Sequence, residues 1–296
     1  MPVHKELFTA EVLRVLKHST SFLAVIPDKS SLVKDNATIH INDIGLEPEV
    51  LINNSTYPIP VVDYDDDDIV ISLDKFDTKN TRVREEQLYA VTYDVMGEVT
   101  DAHGNALDQS HAKKAAHALA PAANTTATPI VEATGGTDNG TIERKSITKK
   151  DIISLKKLFD LLGVPTENRY LVLHPEHVAQ LLELDNAFSL QYTNTKEGTV
   201  LKLYGFNILE YSFNPVYNAS NVKLDFNAAL GDTDSYCSFA FYAPDTFKGM
   251  TEPTMHYREA AIDPEQRANT AGFRNRFIAL PLKQRAIGAI VSKPIA

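Results

Sequence analysis

The segment from Arg169 to Pro215 carries the clearest pattern of secondary structure in this chain. A short apolar run rich in β-forming residues, Tyr170 to Leu173, is followed by Pro175, which suits the first position of a helix. That helix would carry apolar residues on one face, at Val178, Leu181 and Leu182. The segment therefore predicts a strand, a turn and a helix in succession.

Two further strands are predicted in the same segment, joined by a glycine. Residues Thr199 to Tyr204 alternate between the two faces of a strand, and Phe206 to Tyr211 form the next β-rich run. Gly205 between them allows a tight or bulged turn. The two strands are therefore expected to pair as a hairpin.

This succession of elements resembles the A-domain of the major capsid proteins of tailed bacteriophages. In that family a strand led by arginine ends in an apolar-x-Pro step, a helix with a Leu-Leu pair follows, and two glycine-marked strands come next. The matching positions of this chain are Arg169, Pro175, Leu181, Leu182, Gly198, Gly205, Phe206 and Ile208. These residues maintain a fold and carry no catalytic signature. The resemblance implies an α+β fold of the Hong Kong 97 type, which encapsulin shells share.

The resemblance also implies a division of the chain into four parts. These are an N-terminal arm, an E-loop hairpin that lies on the adjacent subunit, a P-domain with a long spine helix, and an A-domain. The implied ranges are 1–36 for the arm, 37–80 for the E-loop, 81–145 with 245–284 for the P-domain, and 146–244 with 285–296 for the A-domain.

The residues from Ala37 to Phe76 are patterned as an extended hairpin. Apolar and polar residues alternate there, and glycine, proline and asparagine punctuate the runs. If this hairpin is the E-loop, its strand residues would be only partly covered by their own subunit and completed by a neighbour. The expected subunit interface then includes Ile52, Ile59, Ile69 and Ile71.

The stretch from Asp63 to Asp68 contains five carboxylates around Tyr64. Such a cluster could bind a hard cation such as calcium through its oxygens, and the candidate ligands are Asp65, Asp66, Asp67 and Asp68. The spacing of an EF-hand loop, with its glycine turn and distal glutamate, is absent. A solvated loop or hairpin tip is the simpler interpretation.

A long helix is predicted from Thr81 to Ala120. Apolar residues recur on one face before an alanine-rich run, and Glu85 and Glu86 complement the start of a helix dipole. Gly97 and the step from His103 to Asn105 weaken the pattern, which leaves a kinked helix or two consecutive helices as alternatives. The capsid family places its spine helix here, directly after the E-loop.

Shorter elements flank this helix. Lys5 to Lys17 has the spacing of an amphipathic helix, which is either a surface helix or, by the resemblance, part of an arm that reaches a neighbour. Thr148 can cap a helix through Asp151, and Gly163 with Pro165 would end it. Strands are predicted at Ser238 to Ala243, Met255 to Ala260, Arg274 to Leu282 and Ala286 to Val291.

Composition narrows the class of protein. With 296 residues, 43% of them hydrophobic, the chain can bury a core in one elaborated domain or two lobes. Its apolar runs are too short for a bilayer span, and the charged stretch Met1 to Thr20 argues against a signal peptide. The single cysteine, Cys237, excludes a disulfide within the chain and fits synthesis in a reducing cytoplasm, which for a phage protein is that of the bacterial host.

The net charge of −10 argues against a general nucleic-acid-binding protein, because such proteins need a cationic field to displace counterions from phosphates. A protein that encloses double-stranded DNA without sequence-specific binding can be acidic. No cofactor-binding motif or catalytic arrangement is found: His174 and His177 lack the spacing of a zinc-binding helix, and His103, His111 and His117 have no ligand partners at a suitable spacing.

Three hypotheses follow. The first is a structural protein without enzymatic activity: the major capsid protein of a tailed phage, whose copies form pentamers and hexamers of a virion shell. The family implies portal, scaffolding or decoration proteins as further partners. The second is an encapsulin-like nanocompartment subunit, which shares the fold, and the third is a metal-dependent enzyme that uses the acidic run and the histidines.

Overall fold

The computed structural model describes residues 21–34, 38–43, 50–55, 57–59, 67–84, 95–137, 142–184, 188–190, 202–262 and 265–295. The predicted helix from Lys5 to Lys17 lies outside these residues. Within them, the helices are α1 (Ser21–Ala24), α2 (Val95–Leu119), α3 (Lys149–Leu161) and α4 (Pro175–Leu184). None of these helices is long and apolar enough to cross a membrane.

The strands of the described residues form three sheets. In chain order they are β1 (Val33–Lys34), β2 (Thr38–Asp43), β3 (Asp67–Ser72), β4 (Asp74–Asp77), β5 (Thr81–Arg84), β6 (Ile130–Glu132), β7 (Arg169–Leu173), β8 (Lys202–Leu203), β9 (Phe206–Glu210), β10 (Tyr236–Tyr242), β11 (Thr246–Met250), β12 (Thr254–Arg258), β13 (Ala268–Pro281) and β14 (Ile287–Ser292).

The first sheet has six strands in the order β6-β14-β10-β7-β9-β8 and mixes parallel with antiparallel pairs. Helices α3 and α4 pack on it. Ile152, Leu155 and Phe159 of α3 and Leu181 of α4 share one buried cluster with Leu171 of β7. The predicted strand, turn and helix of the segment that begins at Arg169 are confirmed.

The second sheet is organised around β13, which is 14 residues long. It pairs antiparallel with β11 and β12 along one edge and with β4 and β5 along the other. Helix α2 lies against one face, where Met96 and Leu107 pack with Phe273, and alanines of its second half meet Phe277 and Ala279. Small alanines let the helix approach the sheet closely, which fits the alanine-rich run predicted there.

The third sheet has the order β1-β2-β3. Strands β2 and β3 pair antiparallel from Thr38 opposite Ser72 to Asp43 opposite Asp67, which confirms a hairpin in this part of the chain. Ile52 and Ile59, expected as strand residues, lie outside any strand. Asp74–Asp77, which falls within the range 37–80 implied for the E-loop, pairs with β13 of the second sheet.

The long helix begins later than the sequence predicts. Thr81–Arg84 is strand β5, and α2 begins at Val95 in the described residues. Burial explains the difference, since Val83 faces the core beneath α2 while Arg82 and Arg84 are exposed, as in a half-buried strand. Neither Gly97 nor the step from His103 to Asn105 ends the helix, because packing on the second sheet offsets their low helix propensity.

The helix cap predicted at the start of α3 and the tight turn predicted between β8 and β9 are both confirmed. Thr148 and Asp151 form a capping box, in which each side chain bonds the other residue's backbone N–H. Gly205 has φ of +88° and joins β8 to β9 as a tight turn, which a residue with a side chain would enter only with strain.

Arg169 is fully buried and ties the end of α3 to β7. Its guanidinium donates to the carbonyls of Val164 and Pro165 and lies 2.8 Å from Asp160 Oδ1. Sequence alone marked Arg169 as a fold-keeping residue, and the structure supplies the reason: one cation satisfies the carbonyl groups that follow a helix end.

We expect Arg169→Leu to lower the free energy of unfolding by about 3 kcal/mol, because buried carbonyls lose their donors. Asp160→Asn should cost less than about 1 kcal/mol, since that carboxylate is partly exposed and the carbonyl bonds remain. Urea denaturation of both variants measures the difference. Equal losses would show that the ion pair, and not the carbonyl bonds, is what Arg169 contributes.

Candidate functional site

His177 of α4 and His174, which directly precedes this helix, both pack against the first sheet. His177 is fully buried and its Nδ1 and Nε2 lie 2.6 Å from Ser238 Oγ and 2.8 Å from Ser292 Oγ, so both ring nitrogens are already hydrogen-bonded. Burial lowers the pKa of His177 to about 3, which keeps the ring neutral. His174 stacks on Tyr236 with ring centroids 4.8 Å apart, and its ring meets that of His177 edge to face with centroids 6.3 Å apart.

The histidines of α2 do not converge either. His103 Nε2 lies 2.9 Å from Thr81 Oγ1, and His117 Nε2 lies 2.9 Å from the carbonyl oxygen of Leu224. His111 is buried against Phe277 and Phe76. Among the residues that the structure describes, no group of histidine, cysteine and carboxylate side chains is placed to hold a metal ion.

The remaining chemical candidates are Cys237 and the acidic run. Cys237 is buried, and burial raises the pKa of its thiol, so it is not an activated nucleophile. Asp65 and Asp66 lie outside the described residues, and Asp67 and Asp68 begin strand β3.

The hairpin β2-β3 is the candidate functional element. Its base is anchored on the second sheet, where Ile39 and Leu73 share a buried cluster with Phe247 of β11 and Ile278 of β13. Because Phe277 and Ala279 face α2, Ile278 faces the opposite side of the sheet. The hairpin therefore leaves the body of the protein from the face opposite α2.

Gly249 makes room for this anchor. A Cβ atom at Gly249 would lie 2.4 Å from Cδ1 of Ile39, closer than two carbon atoms can approach. The contact between Ile39 and Gly249 was not predicted from the sequence. The one local indication of it was that Ile39 is an apolar residue in an alternating strand. The base of the hairpin is thus held by side-chain packing on a glycine.

Beyond its base, the hairpin exposes apolar side chains. Ile71 is half-buried against the cluster of Ile39, whereas Ile69 is 45% exposed and Val70 is 54% exposed. The described residues between the two strands continue this trend: Ile52 is 83% exposed and Ile59 is 50% exposed. The arrangement brings Ile69 and Ile71 onto one strand and leaves Ile52 and Ile59 in irregular segments.

Comparison with solved structures finds the same architecture in shell-forming proteins. The capsid protein of the cyanophage P-SCSP1u is 18% identical with a TM-score of 0.67, over 92% of this chain and 88% of that one. The capsid protein of Ralstonia phage GP4 is 8% identical with a TM-score of 0.65, over 94% and 89%. A virus-like particle from Pyrococcus furiosus is 12% identical with a TM-score of 0.55, over 97% and 99%.

A search among curated protein sequences finds no match. The family model described as phage capsid protein does match, over residues 66–291, which include every strand from β3 to β13 and most of β14. The chain therefore belongs to the phage capsid protein family, and it has the Hong Kong 97 fold of the major capsid proteins of tailed phages.

Proposed function

We propose that this chain is the major capsid protein of a tailed double-stranded-DNA phage and that its copies assemble into an icosahedral virion shell. The observation that carries the proposal is the hairpin β2-β3, whose exposed apolar residues need a partner. A projecting two-stranded hairpin is marginal in water, because it has little core to cover its apolar face. A neighbouring subunit supplies that cover, with Ile52, Ile59, Ile69 and Ile71 at the interface.

The shell would be built from pentamers and hexamers through head-to-tail contacts, since that interface type closes rings by rotation. In this proposal the first sheet with α3 and α4 is the A-domain around the ring axes, and the second sheet with α2 is the P-domain. The pairing of β4 with β13 supports placing the start of the P-domain at Asp74. Exposed apolar residues on the A-domain helices, Leu161 at 73% and Leu184 at 58%, offer further contacts between copies.

In this proposal the protein acts as structure and not as an enzyme, which its membership of the phage capsid protein family supports. His177 and Cys237 are buried in the core of the subunit. Synthesis in the host cytoplasm, enclosure of DNA without sequence-specific binding, and portal, scaffolding or decoration proteins as partners complete the proposal.

An encapsulin-like compartment is the second candidate, favoured by the likeness to the virus-like particle from Pyrococcus furiosus. Negative-stain microscopy and light scattering of the purified protein test assembly, and nuclease-protected DNA in particles from infected cells separates a virion from a compartment. Shells with protected DNA support the capsid function. A monomer under all assembly conditions would exclude both shell functions.

Hydrogen exchange gives a residue-level test of the same proposal. Amides in the exposed part of the hairpin, such as those of Ile69 and Val70, should exchange fast in free subunits and slowly in shells, because local opening follows local burial. Amides of α3 and β7, whose apolar residues are buried within the subunit, should be protected in both states. Equal protection of the hairpin in both states would show that it belongs to its own core.

Replacing Asp65, Asp66, Asp67 and Asp68 together with asparagine should leave the subunit folded, because a solvated acidic cluster mainly repels itself. The measurement is the thermal midpoint of the free subunit with and without calcium. A calcium-dependent rise in the midpoint of the parent protein alone would instead establish a cation site.

A further inference from the structure

Helix α3 carries a basic and apolar stripe on its outer side. Its inner side, with Ile152 and Phe159, is buried against the first sheet. A helix returns to the same face every three or four residues, so the residues opposite this inner side form one line along the helix. The members of that line are all exposed, and they are Lys150, Ile153, Lys157 and Leu161. We call these four residues the α3 stripe.

The lysines of the α3 stripe differ from Lys156, whose Nζ lies 2.7 Å from Asp160 Oδ2. Among the residues that the structure describes, neither Lys150 nor Lys157 forms an ion pair. Asp160 is the exposed carboxylate of α3, and it is held by Lys156 and by Arg169, whose guanidinium is 2.8 Å away. The α3 stripe therefore presents two positive charges that the described part of the subunit leaves uncompensated.

Helix α4 carries the opposite charge on its outer side. Its inner side, with Val178 and Leu181, belongs to the same buried cluster as the inner side of α3. The helix contains no lysine or arginine. Leu184, at its end, is 58% exposed. The residues opposite the inner side are all exposed, and they are Glu176, Ala179 and Glu183. We call these three residues the α4 stripe.

The two stripes match in charge and in spacing. Lys150 and Lys157 are seven residues apart, and so are Glu176 and Glu183. Seven residues of helix make two turns and span about 10.5 Å, so both lysines can meet both glutamates at once. Each stripe also places an apolar residue between its charges, an isoleucine on α3 and an alanine on α4. A large side chain therefore meets a small one where the two helices would cross.

The two stripes of one subunit do not face each other. Both helices pack on the same side of the first sheet, so both stripes point away from that sheet. Helix α3 packs over β6 and β14, whereas α4 follows β7 in the other half of the strand order. Where α4 meets the start of α3, the contact is made by buried Gln180, whose Oε1 accepts from the N–H of Ile147 at 2.9 Å. A second copy is needed to cover either stripe.

We propose that the α3 stripe of one copy packs on the α4 stripe of a second copy. The inference rests on the proposed shell assembly and names a charged contact between its A-domains. The contact uses a different surface on each copy, as head-to-tail contacts do, so every copy offers one stripe to each of two neighbours. Opposite charges also select the pairing, because a stripe that meets its own kind brings like charges together.

A charge swap on the full chain tests this contact. One variant carries Lys150→Glu with Lys157→Glu, and the other carries Glu176→Lys with Glu183→Lys. Each should lower shell yield by about tenfold or more, since like charges then meet at every contact. A chain with all four changes should recover shells, because its two stripes are again opposite in charge. Light scattering and microscopy measure the shell yield.

Two controls accompany the swap. Adding Glu252→Lys and Glu265→Lys to the lysine-to-glutamate variant restores its net charge at exposed positions of the second sheet's loops, and should not recover shells. Lys150→Gln with Lys157→Gln removes the charges without reversing them, and should lower the yield less than the glutamate pair. If a swapped variant does not fold, the glutamine pair decides the test, and a parent-like shell yield from it would refute the contact.

The thermal midpoint of the free subunit separates the alternatives. Recovery by the four changes, with midpoints of all variants close to the parent's, supports a contact between copies. If a swap lowers the midpoint and the four changes restore it, the stripes pair within one subunit and the proposal is wrong. It is also wrong if both swaps lower the yield and the four changes do not recover it. If the parent protein forms no shells, the proposed function fails first; normal shells from every variant would refute the contact alone.

Discussion

Replacing residues 47–66 with a four-residue Gly-Ser linker is expected to yield a folded subunit that no longer forms shells. The linker still joins β2 to β3, and the buried anchor of Ile39 and Leu73 is untouched, so the free energy of unfolding should change by less than about 1 kcal/mol. The variant loses the exposed apolar residues Ile52 and Ile59 and three of the five carboxylates between Asp63 and Asp68. Urea denaturation and particle counts by microscopy measure the two effects.

A loop replacement elsewhere provides the matched control for this deletion. Residues 227–230 lie in the irregular segment between β9 and β10, and the same linker there should change neither folding nor shell yield. Normal shells from the hairpin deletion would show that assembly does not use this arm. A deletion variant that fails to fold would show that residues 47–66 contribute to their own subunit's core, contrary to the proposed role.

Acid is expected to destabilise the free subunit well before its carboxylates are protonated. Burial lowers the pKa of His111 and His174 to about 4 and that of His177 to about 3. These rings stay neutral in the folded state but take up a proton near pH 6.5 when the chain unfolds. The stability that these neutral, buried rings give the folded state is therefore fully present above pH 6.5 and is lost as the pH falls towards 4.

For the three histidines together, the free energy of unfolding should fall by about 5 kcal/mol between pH 7 and pH 5. That is a large share of the 5–15 kcal/mol typical of a folded protein. Asp160 and Glu132 have carboxyl groups whose pKa is lowered in the folded state. Their protonation should reduce the free energy of unfolding further, but only at lower pH. Urea denaturation at several pH values measures the slope.

One histidine can be removed to test the cause. His111 packs between Phe76 and Phe277, and its Nε2 is buried without a hydrogen-bond partner, so His111→Phe keeps an aromatic ring there and removes the titrating group. The loss between pH 7 and pH 5 should shrink by about 2 kcal/mol. His256→Phe, at an exposed position, should leave the slope unchanged. Equal slopes in the parent and His111→Phe would refute a titrating role for His111.

The sequence by itself determined the elements whose signals are local. The cap of α3 depends on Thr148 and Asp151, three residues apart, and the turn before β9 depends on Gly205, so neighbouring residues contain the whole interaction. The resemblance drawn from Arg169 to Ile208 rested on such elements in their order, and the Hong Kong 97 fold is confirmed. The same local reasoning extended a helical pattern back to Thr81, because it could not detect the strand partner of β5.

Only the tertiary structure decided which distant residues meet. His177 is buried between Ser238 and Ser292, 61 and 115 residues away, and this contact makes it a core residue instead of a ligand. The position of Ile39 depends on the absence of a side chain at Gly249, and the second sheet depends on the pairing of β4, β5 and β12 with β13. Strand pairing and burial join residues far apart in the chain, and the sequence around any one of them does not specify its partner.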